Sequence, residues 1–133
     1  MKTKNRFLVL AVTFFVILAS GCSAMEYERH QTTGSEVYSE GRLSSRIKRP
    51  IAVVQGAVVD AYKGFGIKIT KASGDRLSGV VQGELASGDA ADTKLSSISE
   101  EKTSISIKVG SDGNRYISHR LLVAIKNNLH VTD

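Results

Sequence analysis

Tryptophan is absent, and there is one cysteine, Cys22, and one proline, Pro50. A single thiol cannot close an intramolecular disulfide, so any fold must hold by its core alone. Three of the four phenylalanines (Phe7, Phe14 and Phe15) fall within the first fifteen residues, leaving Phe65 and the tyrosines Tyr27, Tyr38, Tyr62 and Tyr116 for the rest of the chain. So few aromatics argue against a stacking surface for sugars or single-stranded nucleic acid. The three histidines, His30, His119 and His130, are scattered without metal-ligand spacing, so no metal site is expected.

What is present begins with a tripartite leader. Lys2, Lys4 and Arg6 precede an apolar run from Phe7 to Ala19 (FLVLAVTFFVILA), which ends in the small residues Ser20 and Gly21 just before Cys22. About 13 helical residues span about 20 Å, too short for a bilayer core of about 30 Å. A basic start, a short apolar centre and a small-residue end are the three parts of an export signal. The alternatives are an ordinary secretory signal with an incidental cysteine, or an uncleaved anchor.

The segment Leu18-Ala19-Ser20-Gly21-Cys22 resembles the lipobox of bacterial lipoproteins. The resemblance implies a signal peptide over residues 1–21, cleavage between Gly21 and Cys22, and acylation of the Cys22 thiol, whose thiolate is a far stronger nucleophile than a hydroxyl. Two or three acyl chains of palmitate type, at about 0.8 kcal/mol per buried methylene, anchor a protein stably. The covalent lipid is the one non-protein group expected, and no cofactor is. Ser23 stands where aspartate would favour retention at the inner membrane, which points to a periplasm-facing lipoprotein of the outer membrane.

Processing also removes three basic residues, leaving 15 against 13 acidic ones and a net charge of +2 rather than +5. The basic character of the precursor is therefore mostly that of its leader, and a nucleic-acid partner is not expected.

Residues 22–34 carry the lipid and read as a flexible tether, and residues 35–133 as one domain. Ser35–Leu43 alternates as a strand, with Val37, Ser39, Gly41 and Leu43 on one face. Pro50 suits a first helical turn, and Ile51, Val54, Val58, Ala61, Tyr62 and Phe65 repeat at helical spacing. Strands follow at Ile67–Ile69, at Leu77–Leu85, at Thr93–Ile98 and at Thr103–Val109. Gly79 and Gly83 on the second of these imply a close neighbour over the strand. A Gly110–Asn114 turn leads into a helix from Arg115 to Leu129, with Ile117, Leu121, Leu122, Ile125 and Leu129 inward. The expected fold is α+β: a two-layer sandwich in the order β-α-β-β-β-β-α, with an antiparallel sheet of four to five strands and two helices on one face.

From Val53 to Leu129 the chain resembles a family of small bacterial lipoproteins known as domain of unknown function 3568. The residues that carry the resemblance are AVVDAYKGFGIKI (57–69), Ile107-Lys108-Val109-Gly110, and a last helix with Ser118, Leu121, Leu122 and Ile125. It implies a fold and an envelope location, and no reaction.

Candidate sites are few. His119 reads as a solvated helix residue, and Ser118 beside it cannot form a catalytic pair by adjacency, because neighbouring helical side chains diverge. Gly110–Gly113 lacks the spacing of a phosphate loop. Arg42, Arg46, Lys48 and Arg49 form the densest basic cluster, just ahead of a helix N-terminus that disfavours cations. That placement fits either a solvated loop with Glu36 and Glu40 as local partners, or contact with an anion or lipid headgroup. The function expected is a non-catalytic envelope lipoprotein, a membrane-anchored interaction or accessory module with an envelope protein partner. The alternative is a periplasmic binder of a lipid or small amphiphile between helices and sheet.

Overall fold

The computed structural model describes residues 36–131, so the leader, Gly21, Cys22 and the tether lie outside the described residues. Period-2 alternation organises the rest. In β6 (Lys102–Val109), Thr103, Ile105, Ile107 and Val109 are buried while Lys102, Ser104, Ser106 and Lys108 stand on the other face. β4 (Ser78–Glu84) and β5 (Ala90–Ser99) alternate in the same sense, burying Gly79, Val81 and Gly83, and Ala91, Thr93 and Leu95. The inward face is closed by α1 (Ile51–Gly64) and α2 (Arg115–Asn128), whose apolar stripes sit at three-and-four spacing.

The sheet has six strands in the order β1-β2-β6-β5-β4-β3, all antiparallel. β1 (Val37–Ser39) and β2 (Arg42–Ile47) form a hairpin; α1 then crosses the inner face, and β3 (Lys68–Gly74) opens a meander that returns through β4 and β5 to β6, against β2. The α+β sandwich with two helices on one face is the expected one, with one more strand. Ser35–Leu43 is not a single strand but contains a two-residue turn, with Glu40 at φ 51° and Gly41 at φ 77°. Positive φ at both central residues is the type I′ geometry that suits the twist of paired strands. The turn reverses the faces assigned from alternation: Leu43 is buried, whereas Val37 is 62% exposed and Tyr38 packs against the core. Pro50 sits one residue earlier than expected, as the cap before α1 rather than inside its first turn.

The core is aliphatic around one tyrosine. Val54 and Val58 from α1 meet Val81, Ile105 and Ile107 from the sheet, with Leu121, Leu122 and Ile125 from α2. Each fully buried side chain of this size contributes about 1.5–3 kcal/mol. Tyr62 reaches from α1 to the sheet, where its hydroxyl lies 3.2 Å from the Val81 carbonyl and 2.7 Å from Thr93 Oγ1. By donating to the carbonyl it can accept from the threonine, which satisfies both buried hydroxyls. Burial pushes the Tyr62 hydroxyl up to about 12, with the Thr93 bond opposing. Thr103 Oγ1 donates to the Arg49 carbonyl at 2.8 Å, tying β6 to the bend before α1. The Lys126 ammonium, nearly buried on α2, holds Glu36 at 3.0 Å and so fastens the start of the domain.

Gly79 and Gly83 do lie under close neighbours. A Cβ at Gly83 would stand 2.6 Å from Ile67 Cγ2 and 2.8 Å from the Lys68 carbonyl oxygen, while one at Gly56 on α1 would meet nothing within 4 Å. Gly83→Ala is therefore expected to destabilise the domain by about 1–3 kcal/mol through overpacking. Gly56→Ala should stabilise it by about 0.5–1 kcal/mol through helix propensity. Urea unfolding of both variants checks the pair of signs; a neutral Gly83→Ala would mean that the strand is free to move away.

Candidate functional site

Two loops and a helix start meet at one end of the sheet. The β3–β4 turn (residues 75–77), the last residues of β5 with Glu100, and the first residues of α1 enclose an open groove of about 760 Å³, lined in part by Pro50, Ile51, Gln55, Leu77 and Ile98. Leu77 is 73% exposed and Ile98 50% exposed. Asp75 Oδ1 accepts the Leu77 and Ser78 amides at 2.8 and 2.9 Å, which holds its carboxyl below the usual carboxylate range. The Ser97 amide donates to the Leu77 carbonyl at 2.8 Å and so joins the two turns. A register shift between Ser97 and Ser99 breaks the pairing with β6 where Ile98 emerges at the surface. Gln55 Oε1 lies over Gly74 and Gly79 and forms part of the groove wall.

The basic cluster expected at Arg42, Arg46, Lys48 and Arg49 is divided by the fold. Arg42 and Arg46 stand on the face of β2 away from the helices, Lys48 is exposed in the following bend, and the Arg49 guanidinium turns back to the Lys48 carbonyl. The counter-charges differ from those expected. Arg42 pairs with Asp92 at 2.9 Å and donates to Ser106 Oγ at 2.8 Å, while Gln82 donates to the other Asp92 oxygen at 3.1 Å. Glu36 instead holds His119 and Lys126 of α2. Glu40 occupies the hairpin turn, where its backbone rather than its charge has the local role.

His119 is exposed on α2 as read from sequence, with Glu36 Oε2 3.2 Å from Nδ1. Gly110–Gly113 is a strand-to-helix turn whose Gly113 packs on Gly41 of the hairpin, leaving no room there for a side chain. Asn114 caps α2 by accepting the Ile117 amide at 3.0 Å. Among the described residues, no cluster of three or more potential metal-ligating side chains occurs, and no helix is long and apolar enough to cross a membrane. Period-2 spacing with Gly79, Val81 and Gly83 puts Leu77 on the inward face of the expected Leu77–Leu85 strand, and so hides the groove. The signal was present in Ser73-Gly74-Asp75, which marks the turn that lifts Leu77 out of the alternation.

A family model described as protein of unknown function (DUF3568) matches residues 6–128. No curated protein matches the chain.

The Asp75 bonds set a pH dependence on this groove. A carboxyl held low in the folded state stabilises the turn above its ordinary titration range, and that contribution is lost as pH falls through the lowered value. Acidification is thus expected to release the Leu77 and Ser78 amides, and Asp75→Ala to do so at neutral pH, with the core amides still protected. Amide hydrogen exchange by NMR checks this; unchanged exchange at both amides in Asp75→Ala would show that the turn is held by its backbone alone.

Proposed function

The chain belongs to the DUF3568 family of proteins of unknown function, and from that premise we propose that it is an envelope lipoprotein, acylated at Cys22 after cleavage behind Gly21, whose domain is a non-catalytic interaction or accessory module. The matched span runs from the leader to the last turn of α2, so the apolar run, Cys22 and the domain fall within one family pattern. That continuity supports treating them as parts of one precursor. The lipid faces the periplasm from the outer membrane in this proposal, with Ser23 after the acylated cysteine as its basis.

The observation that carries the interaction module is the groove: Leu77 and Ile98 are large, apolar and exposed, and the Leu77 backbone is pinned on both sides, its amide by Asp75 and its carbonyl by Ser97. Apolar side chains held rigidly at a surface lose little conformational entropy on binding, which is the property of an anchor residue. The occupant proposed is an apolar segment of an envelope protein. A lipid or small amphiphile is the alternative occupant, and the groove has the volume for an acyl chain. The space over Gly79 and Gly83, by contrast, is filled by Gln55, Leu95 and Ile67 of this chain.

A photoreactive residue at Ile98 in the full chain, expressed in the native host, is expected to give a discrete protein adduct. The same residue at Ser87, on the turn at the other end of the strands, is expected to give none, and Leu77→Asp should abolish the Ile98 adduct. Equal labelling at Ser87 would defeat the docking site, and lipid recovered in place of protein would favour the amphiphile. In the same cells Cys22→Ser is expected to leave the membrane fraction; unchanged retention would defeat the anchor.

A further inference from the structure

The helices cover one face of the sheet, and the outward positions of the strands form a second surface on which nothing packs among the described residues. Its composition follows from register. Arg42 and Arg46 of β2, Lys102 and Lys108 of β6, Lys94 of β5, and Lys68 and Lys71 of β3 all occupy outward positions. Against these seven cations stand two carboxylates, Asp92 and Glu84, and Asp92 is already held by Arg42. Residues 36–131 carry 14 basic and 10 acidic side chains in all. The open face therefore has a larger positive excess than the described domain as a whole, and the remaining surface is slightly acidic. No ion pair within the described residues engages Arg46, Lys71, Lys94, Lys102 or Lys108.

Between the cations the face is low and hydroxylated. One cross-strand row reads Ser73, Val80, Lys94, Ser106, Ser44, Val37, and the next reads Ser78, Ser96, Ser104, Arg46. Long basic chains standing on a floor of serines suit an extended planar anion better than a pocketed one. Ammonium groups reach the charged plane while hydroxyls remain available to phosphate oxygens.

We propose that this open sheet face lies against an anionic phospholipid surface, so that the domain docks flat on the bilayer with its helices directed away and its groove at the side. The proposal rests on the membrane-anchored lipoprotein above, since the anchor supplies the proximity, and it extends the expected headgroup contact from Arg42 and Arg46 to Lys71, Lys94, Lys102 and Lys108. Charge complementarity is its basis: each basic residue within a Debye length of an anionic leaflet strengthens partition by about fivefold.

Residues 34–133 form one compact unit with its own core, so the domain can be tested without leader or lipid. Sedimentation with mixed phosphatidylglycerol–phosphatidylcholine vesicles at low salt is the assay, with pure phosphatidylcholine as reference. The domain is expected to bind only the anionic vesicles and to be released by salt. Lys94→Glu with Lys108→Glu is expected to weaken binding at least about tenfold. Lys63→Glu with Arg120→Glu, the same charge change on the helix layer, should leave most of it, and circular dichroism confirms that both pairs fold. Equal loss in the two pairs would reduce the effect to net charge and overturn the proposal. So would absent binding, or binding to heparin without binding to vesicles, which would assign the face to a soluble polyanion. Because the assay contains no lipidated cysteine, its outcome is independent of whether Cys22 is acylated in cells.

Discussion

Everything in this domain depends on burying one face, and only one, of a six-stranded antiparallel sheet. Two helices are enough to cover the inward positions of β2 to β6, and the chain has no third element to place on the other side among its described residues. An antiparallel sheet tolerates this because alternate side chains can be written for two solvents. β6 is the clearest instance, with Thr103, Ile105, Ile107 and Val109 toward the helices and Lys102, Ser104, Ser106 and Lys108 away. The tight meander and the β2–β6 pairing then bring the outward cations of four strands onto a common plane. The charge of the open face is thus a consequence of register, not of any local basic run.

The same constraint governs the edges and the ends. β1 is only three residues long, and the other edge, β3, carries Lys68 and Lys71 around a register shift. Short, bulged or lysine-bearing edges discourage addition of a further strand. Apolar surface suited to a partner is found instead where the strands stop, at Leu77 and Ile98, which the two turns hold beside the start of α1. A domain lying on its sheet would leave that end accessible from the side, so the basic face and the groove could be used together.

Much of the fold is legible in the residues. The two helical stripes, the β6 alternation and the small residues Gly79 and Gly83 each reflect one physical demand and lie where expected, except that Phe65 follows the end of α1 and is 36% exposed instead of completing its inward stripe. The hairpin was not legible, because Glu40-Gly41 lacks the asparagine or aspartate usual in a type I′ turn and the alternation runs on across it. Losing that turn inverted the face of Val37 and concealed the sixth strand. The site was less legible than the fold. Of the run Arg42, Arg46, Lys48 and Arg49 only the first two share the open face, whereas Lys71, Lys94 and Lys108 are distant in sequence and stand on that face with them. Only pairing register carries that information, and no local pattern encodes it.

The proposed docking fixes an orientation, with the sheet toward the bilayer and the helices away. A chain with one cysteine, itself proposed to carry lipid, allows a nitroxide to be placed at an introduced cysteine without competition once the anchor is formed. Collision with a water-soluble relaxation agent would be measured for labels at Ser96 on the open sheet face and at Gly56 on α1, in the lipidated protein on anionic bilayers. Ser96 is expected to be shielded when the bilayer is present while Gly56 stays accessible. Equal accessibility of the two, or shielding of Gly56 instead, would contradict it.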